Sequence, residues 1–187
     1  MTDNPWVTRK RRVVYDNPWI HVEEHQVVNP SGGDGIYGVV SFKNKAIGIV
    51  PIDEQGFTYL VGQYRYPLQQ YSWEIPEGGG PIGEQPLLAA KRELKEETGY
   101  TAEHWRLLVR LHLSNSVTDE EALIYIASGL TAGQTEFEET EQIKLQRIHL
   151  RDALSMVMDG SITDAISVAA LLRLSVEPEY QHLFIPS

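Results

Sequence analysis

The chain has 187 residues, with 16 Lys and Arg against 26 Asp and Glu for a formal net charge of −10, and it contains no cysteine. That length suits one domain with a full hydrophobic core and a small appended element, while the missing thiols exclude disulfides, thiolate metal sites, cysteine nucleophiles and iron–sulfur clusters. With 42% apolar and 22% charged residues the chain is neither disordered nor membrane-embedded by composition, and its acidic balance argues against non-specific nucleic-acid binding.

Met1 to Trp6 lacks the apolar stretch of a secretory leader, so the expected location is the cytoplasm. No run approaches the ~18 apolar residues of a spanning helix, so no membrane partner is expected. The basic run Arg9-Lys10-Arg11-Arg12 reads as a solvated arm or a strand edge rather than a nucleic-acid site. Asn17-Pro18 opens an extended stretch from Trp19 to Val28, and the turn-forming segment from Asn29 to Gly35 leads to a return strand, Ile36 to Phe42. Residues 1–45 are therefore expected to form a β-rich N-terminal element ahead of a main domain over residues 46–187. Ala46 to Ile52 reads as a buried strand, Asp53 to Gly56 as a turn and Phe57 to Arg65 as a further strand.

Glu77 to Gly83 carries four glycines and a proline and is expected to be a loop. A helix follows from Pro86 to Thr98, with proline tolerated in its first turn and Gly99 as a left-handed stop. Strands are expected over Trp105 to Leu113, Ala122 to Ala127 and Ile143 to His149, and helices over Arg151 to Met158 and Asp164 to Leu174. Mixed strands with few helices indicate an α/β or α+β sandwich.

The chemistry concentrates between Gly78 and Tyr100. Glu93 and Glu97 are four residues apart and share a helix face, with Glu96 beside them and Arg92 on the adjoining face. Like charges at that spacing repel, so something positive must offset them unless they are fully solvated. Carboxylate oxygens suit hard cations such as Mg²⁺ or Mn²⁺. A charged solvated face would explain the glutamates alone, but not the spacing as a whole. Gly78 is followed after five residues by Glu84, and after seven more by Arg92-Glu93-Leu94-Lys95-Glu96-Glu97-Thr98-Gly99-Tyr100. Seven such fixed positions arise by chance in on the order of one chain per million.

This spacing resembles the signature of the Nudix hydrolases, with Tyr100 standing where an aliphatic residue is usual. The resemblance implies hydrolysis of a nucleoside diphosphate linked to a further group. It also implies a Nudix α/β/α sandwich with a mixed sheet and an N-terminal antiparallel β element. By the same resemblance Glu93 and Glu97 are metal ligands, and Glu96 is a third ligand or bridge. Arg92 orients the glutamates, Glu77 coordinates through its backbone carbonyl and Glu84 acts indirectly. The cofactor implied is Mg²⁺, with Mn²⁺ as an alternative.

Gln63-Tyr64-Arg65-Tyr66-Pro67 and Trp73-Glu74-Ile75-Pro76-Glu77-Gly78 resemble the ADP-ribose and nucleoside diphosphate sugar pyrophosphatase branch. In that reading Arg65 is a fork for the diphosphate and Glu74 a contact in the same cleft. The acidic stretch from Glu136 to Ile143 resembles the segment carrying a catalytic base and a metal ligand, here Glu139 and Glu141. Glu136 and Glu138 compete in register, and Glu120 is the reserve base. The same resemblance implies that the N-terminal element helps to stack the base; its rings are Tyr15, Trp19 and Tyr37, of which Tyr15 and Trp19 are taken as the candidates. By analogy the partners are a small nucleotide sugar and a second copy of the chain. Asn115 stands where strict ADP-ribose pyrophosphatases carry a proline, which implies a broader range that includes GDP-mannose and ADP-ribose. The six histidines show no ligand spacing and read as structural. The alternatives are a nucleoside triphosphate or RNA 5′-pyrophosphohydrolase, and a non-catalytic nucleotide-sugar sensor.

Overall fold

The computed structural model describes residues 3–134 and 143–185. Its chain opens with an antiparallel three-stranded sheet, β1 (Val7–Asp16), β2 (Ile20–Val28) and β3 (Asp34–Phe42), in the order β1-β2-β3. The basic run therefore lies on an edge strand, and every residue of β1 is exposed. The rim of β3 is tied to the loop beyond residue 112: Val40 N–H donates to Val117 O at 2.9 Å and Phe42 N–H to Asp119 Oδ1 at 2.9 Å. These bonds seat the N-terminal sheet against the main body.

Beyond β3, β4 (Asn44–Ile52) is the centre of a mixed four-stranded sheet. Its order is β7 (Glu77–Pro81), β4, β9 (Glu121–Ala132), β8 (Tyr100–His112), with β4 parallel to β9 and the other pairs antiparallel. A second antiparallel sheet holds β10 (Lys144–His149), β5 (Phe57–Arg65) and β6 (Gln70–Glu74), in that order.

Side chains along a strand alternate faces, and β4 uses both. Ile47 and Ile49 join Leu123 and Ala127 of β9 under helix α1 (Pro86–Thr98), where Ala89, Ala90 and Leu94 complete one core. Val50 and Ile52 turn the other way. They join Ile124, Ile126, Leu60 and Ile75 beneath helices α2 (Leu150–Met158) and α3 (Ala165–Ser175). The mixed sheet is thus covered on both faces, and the α/β/α sandwich with its N-terminal antiparallel element is the observed fold. Leu94 is fully buried, so Leu94→Ala should cost about 2–5 kcal/mol of unfolding free energy. Urea unfolding checks this, and a cost below about 1 kcal/mol would contradict the packing.

Helix α1 spans the residues its pattern predicts. Gly99 caps it at φ 75° with its N–H donating to Lys95 O at 2.9 Å, the left-handed geometry in which glycine meets no Cβ penalty. The expected loop from Glu77 is a correction: Glu77 to Pro81 form strand β7, paired with β4 from Gly48 to Asn44. Glycine is depleted from strands because it has no side chain to pack, but here its small size is what the site requires. Strand β6 is not among the expected elements, and β8 begins five residues before the expected Trp105.

Candidate active site

Strand β7 and helix α1 lie side by side, and the glycines of β7 let the helix's carboxylates come close. A Cβ placed on Gly78 would collide with the carboxyl group of Glu93. Glu93 and Glu97 are 8% and 2% exposed, unusual for glutamates, which are rarely buried without partners. Glu97 Oε2 accepts the Glu77 N–H at 2.8 Å, joining helix to strand. Arg92 braces the same group: Nη1 donates to Glu93 Oε1 and Glu96 Oε2, both at 2.8 Å, and Nη2 to Gly79 O at 2.8 Å. Glu84 lies 3.8 Å from Arg92 Nη2. Burial works against the Arg92 charge, but Glu93 and Glu96 outweigh it and hold the guanidinium above its ordinary pKa.

A second group of carboxylates lies on the β5–β6 side. Glu74 at the end of β6 is 2% exposed. Arg65 at the end of β5 donates to it through Nε at 3.0 and 3.1 Å and through Nη2 at 2.5 Å, and Nη2 also reaches Glu77 Oε1 at 2.5 Å. Asp164, the N-cap of α3, accepts the Ser167 N–H at 2.7 Å. Oxygens of Glu74, Glu77 and Asp164 all lie within 4.8 Å of one another. Burial pushes the Glu77 carboxyl well above its ordinary pKa, and the charges of Asp164 and Glu74 push the same way. Burial opposes the Arg65 charge, yet the bond to Glu74 and the charges of Glu77 and Glu74 prevail and raise its pKa.

These groups open into a cleft of about 570 Å³, a size suited to a small-molecule ligand. Arg65, Glu74, Glu77, Glu120 and Asp164 line it with charge, while Trp19, Phe42, Pro67, Leu68 and Leu113 supply apolar surface. Burial raises the Glu120 pKa, with Asp119 and Asp164 adding repulsion.

The structure brings together Arg65, Glu74 and Glu77, links Glu77 to Glu97 of the α1 group that holds Glu93, Glu96 and Arg92, and puts Trp19, 65% exposed, in the cleft lining. Arg65 was expected to grip a diphosphate; here its Nε and Nη2 are engaged by carboxylates. Tyr15 is 55% exposed on β1 and does not line the cleft of its own chain. Glu139 and Glu141, with Glu136 and Glu138, lie outside the described residues. Sequence reasoning missed Asp164 as a cleft residue. The sequence places it as the first residue of a helix, Asp164 to Leu174, and nothing local brings that helix to Glu74. Of the histidines, His149 caps α2, its Nδ1 accepting the Arg151 N–H at 3.2 Å.

The residues fit a hard divalent cation. The donors are carboxylate oxygens, Gly78 leaves room where a side chain would block Glu93, and Glu77 Oε2 is buried with no hydrogen-bond partner among the described residues. Among the described residues, no helix is long and apolar enough to cross a membrane.

Comparison with known proteins agrees with this geometry. Residues 43–165 match the NUDIX domain, and residues 6–40 match the nucleoside diphosphate sugar hydrolase N-terminal domain. The ADP-ribose pyrophosphatase of Mycobacterium tuberculosis is 31% identical over 177 residues, 93% of this chain and 85% of that protein. The methanol dehydrogenase activator of Bacillus methanolicus is 29% identical over 177 residues, 94% of this chain and 95% of its own. A crystal structure of an ADP compounds hydrolase shares the fold with a TM-score of 0.82 at 24% identity, covering 92% of this chain and 94% of that one. With its glutamate helix braced against a glycine strand, and with the match spanning the whole of that arrangement, the chain belongs to the Nudix hydrolase family.

Proposed function

We propose that this chain hydrolyses the diphosphate bond of ADP-ribose and related nucleoside diphosphate sugars, GDP-mannose among them, with Mg²⁺ or Mn²⁺ as cofactor. The observation that carries the reading is the pair of buried glutamates, Glu93 and Glu97, set beside a cleft lined by both carboxylates and aromatic rings. The name of the M. tuberculosis relative and the N-terminal domain match support the substrate class. Asn115, in place of the proline expected of strict ADP-ribose enzymes, supports the broader range.

Glu93 and Glu97, with Glu96 and the Glu77 carbonyl, are the residues that would hold the cation. When bound, it neutralises diphosphate charge and lowers the pKa of a coordinated water. Arg92 keeps Glu93 and Glu96 in position. Trp19 and Phe42, which also line the cleft, offer rings to the nucleobase. A carboxylate accepts the proton of the attacking water; we assign this to Glu139, with Glu120 as the alternative and Glu141 as a further ligand. Water adds across the P–O–P link: one phosphorus gains a hydroxyl, and the bridging oxygen leaves on the other phosphate. The products are a nucleoside monophosphate and a sugar phosphate. We further assign a homodimeric, cytoplasmic enzyme. The exposed Val7, Val13, Val14 and Tyr15 of β1 support the dimer.

The test is phosphate release, coupled to a phosphatase, from ADP-ribose, GDP-mannose, UDP-glucose, a dinucleoside polyphosphate and 8-oxo-dGTP, each with Mg²⁺. Turnover of several nucleotide sugars with the triphosphate untouched is the expected result. Turnover of the triphosphate alone would replace the substrate class while keeping the family's chemistry.

A further inference from the structure

Helix α3 carries one polar side chain among its buried residues. Ile166, Ala170, Leu171 and Leu174 are apolar, and Ser167 is fully buried with them. Burying a hydroxyl costs free energy unless it is hydrogen-bonded. The partner of this one lies far outside its helix: Ser167 Oγ accepts the Ile75 N–H at 2.9 Å, 92 residues away. Ile75, itself fully buried, and Pro76 form the two-residue connection between β6 and β7. Proline has no N–H, so the Ile75 amide is the only backbone donor of that connection. Its other tie is the Pro76 carbonyl, which accepts the Ile49 N–H from β4 at 2.8 Å. Helix α3 is pressed close at this point. A Cβ placed on Gly48 of β4 would lie 2.8 Å from Ile166 Cγ2 and 3.1 Å from Ile75 Cδ1.

The residues on either side of this connection are Glu74 and Glu77, the two carboxylates that hold Arg65. The main chain of Ser167 acts in the same cleft, its N–H donating to Asp164 Oδ2 at 2.7 Å. We propose that Ser167 is a positioning residue for the cleft: through the Ile75 amide it fixes the β6–β7 connection, and through Glu74 and Glu77 it sets how Arg65 is presented to a diphosphate. This assignment rests on the proposed function in taking a diphosphate as the group that Arg65 meets. Without the hydroxyl, the Ile75 N–H is a buried donor with no partner, which is costly enough to favour a shift of the connection. Glu74 and Glu77 move with it. Arg65 follows, because its Nε and Nη2 donate to them. Ser167 itself touches no substrate.

The test is a double-mutant cycle on the full chain, read as kcat and KM on ADP-ribose at saturating Mg²⁺. Ser167→Ala removes the acceptor, and Arg65→Lys keeps the charge but loses the paired donors of the guanidinium. Ser167→Ala is expected to lower kcat/KM about 10- to 100-fold, the loss that follows a misplacement of about 1 Å. In the Arg65→Lys background the same change should cost less than about threefold, because the geometry it disturbs is already gone. Leu174→Ala, in the same helix and core, is the control for stability. It should lower the unfolding temperature and leave kcat/KM of the folded enzyme within about threefold of the parent. Parental kcat/KM in Ser167→Ala would overturn the proposal. So would an equal loss in both backgrounds, or a loss in Leu174→Ala as large as in Ser167→Ala, since each makes the effect one of general packing. If Ser167→Ala does not fold, Ser167→Cys, whose sulfur is a weak acceptor, takes its place in the cycle. Absence of turnover in the unmodified chain fails the hydrolase reading and this assignment with it. Turnover there, with any of the overturning results above, fails this assignment alone.

Discussion

Replacing Glu97 by glutamine is expected to lower kcat/KM on a nucleotide sugar about 1,000-fold, roughly 4 kcal/mol of transition-state stabilisation. The change keeps the volume and leaves an amide oxygen able to accept the Glu77 N–H that Glu97 Oε2 now takes at 2.8 Å. The fold should therefore survive, with thermal unfolding close to that of the parent. What is removed is a negative oxygen donor from a nearly buried position. Glutamine is a poor ligand for a hard cation beside a carboxylate. Steady-state kinetics at rising Mg²⁺ reads the result. Activity within threefold of the parent at saturating metal would remove Glu97 from the cation site, and with it the assignment of Glu93 as its partner.

Gly78→Ala should be nearly as damaging for a different reason. The new methyl group would occupy space now filled by the Glu93 carboxyl. Glu93 must then swing away or the strand must shift. Neither is free, since Glu93 is held by Arg92 at 2.8 Å and β7 is paired to β4. Displacing a site group by about 1 Å costs on the order of 100-fold in rate, and overpacking costs about 1–3 kcal/mol of stability. Kinetics and thermal unfolding on the same preparation separate the two losses. An alanine variant with full activity would mean that Glu93 does not need its present position.

These two substitutions illustrate how differently the parts of the site could be read. The order Gly78, Glu84, Arg92, Glu93, Glu96, Glu97, Gly99 is a local pattern, and most of its consequences are local. Residues four apart on a helix share a face whatever surrounds them, and Gly99 ends α1 because its φ of 75° suits glycine. Phe57 to Arg65 was legible as a strand from its aromatic and β-branched residues following the Asp53 to Gly56 turn. The glycine strand was not, because glycine's ordinary signal is a turn. Its place in the sheet follows from what must pass over it, namely α1 and the Glu93 carboxyl.

The sequence by itself determined the family, the helix that carries the glutamates and the chemistry that a row of carboxylates can support. Only the tertiary structure decided that Arg65 faces Glu74 and Glu77, that β3 leans on the loop after β8 to bring Phe42 and Trp19 to the cleft, and that Asp164 joins Glu74 from 90 residues away. The physical reason is that helix capping and side-chain spacing act within a turn or two of chain. Contact between α3 and β6, by contrast, is set by how two cores pack on opposite faces of one sheet.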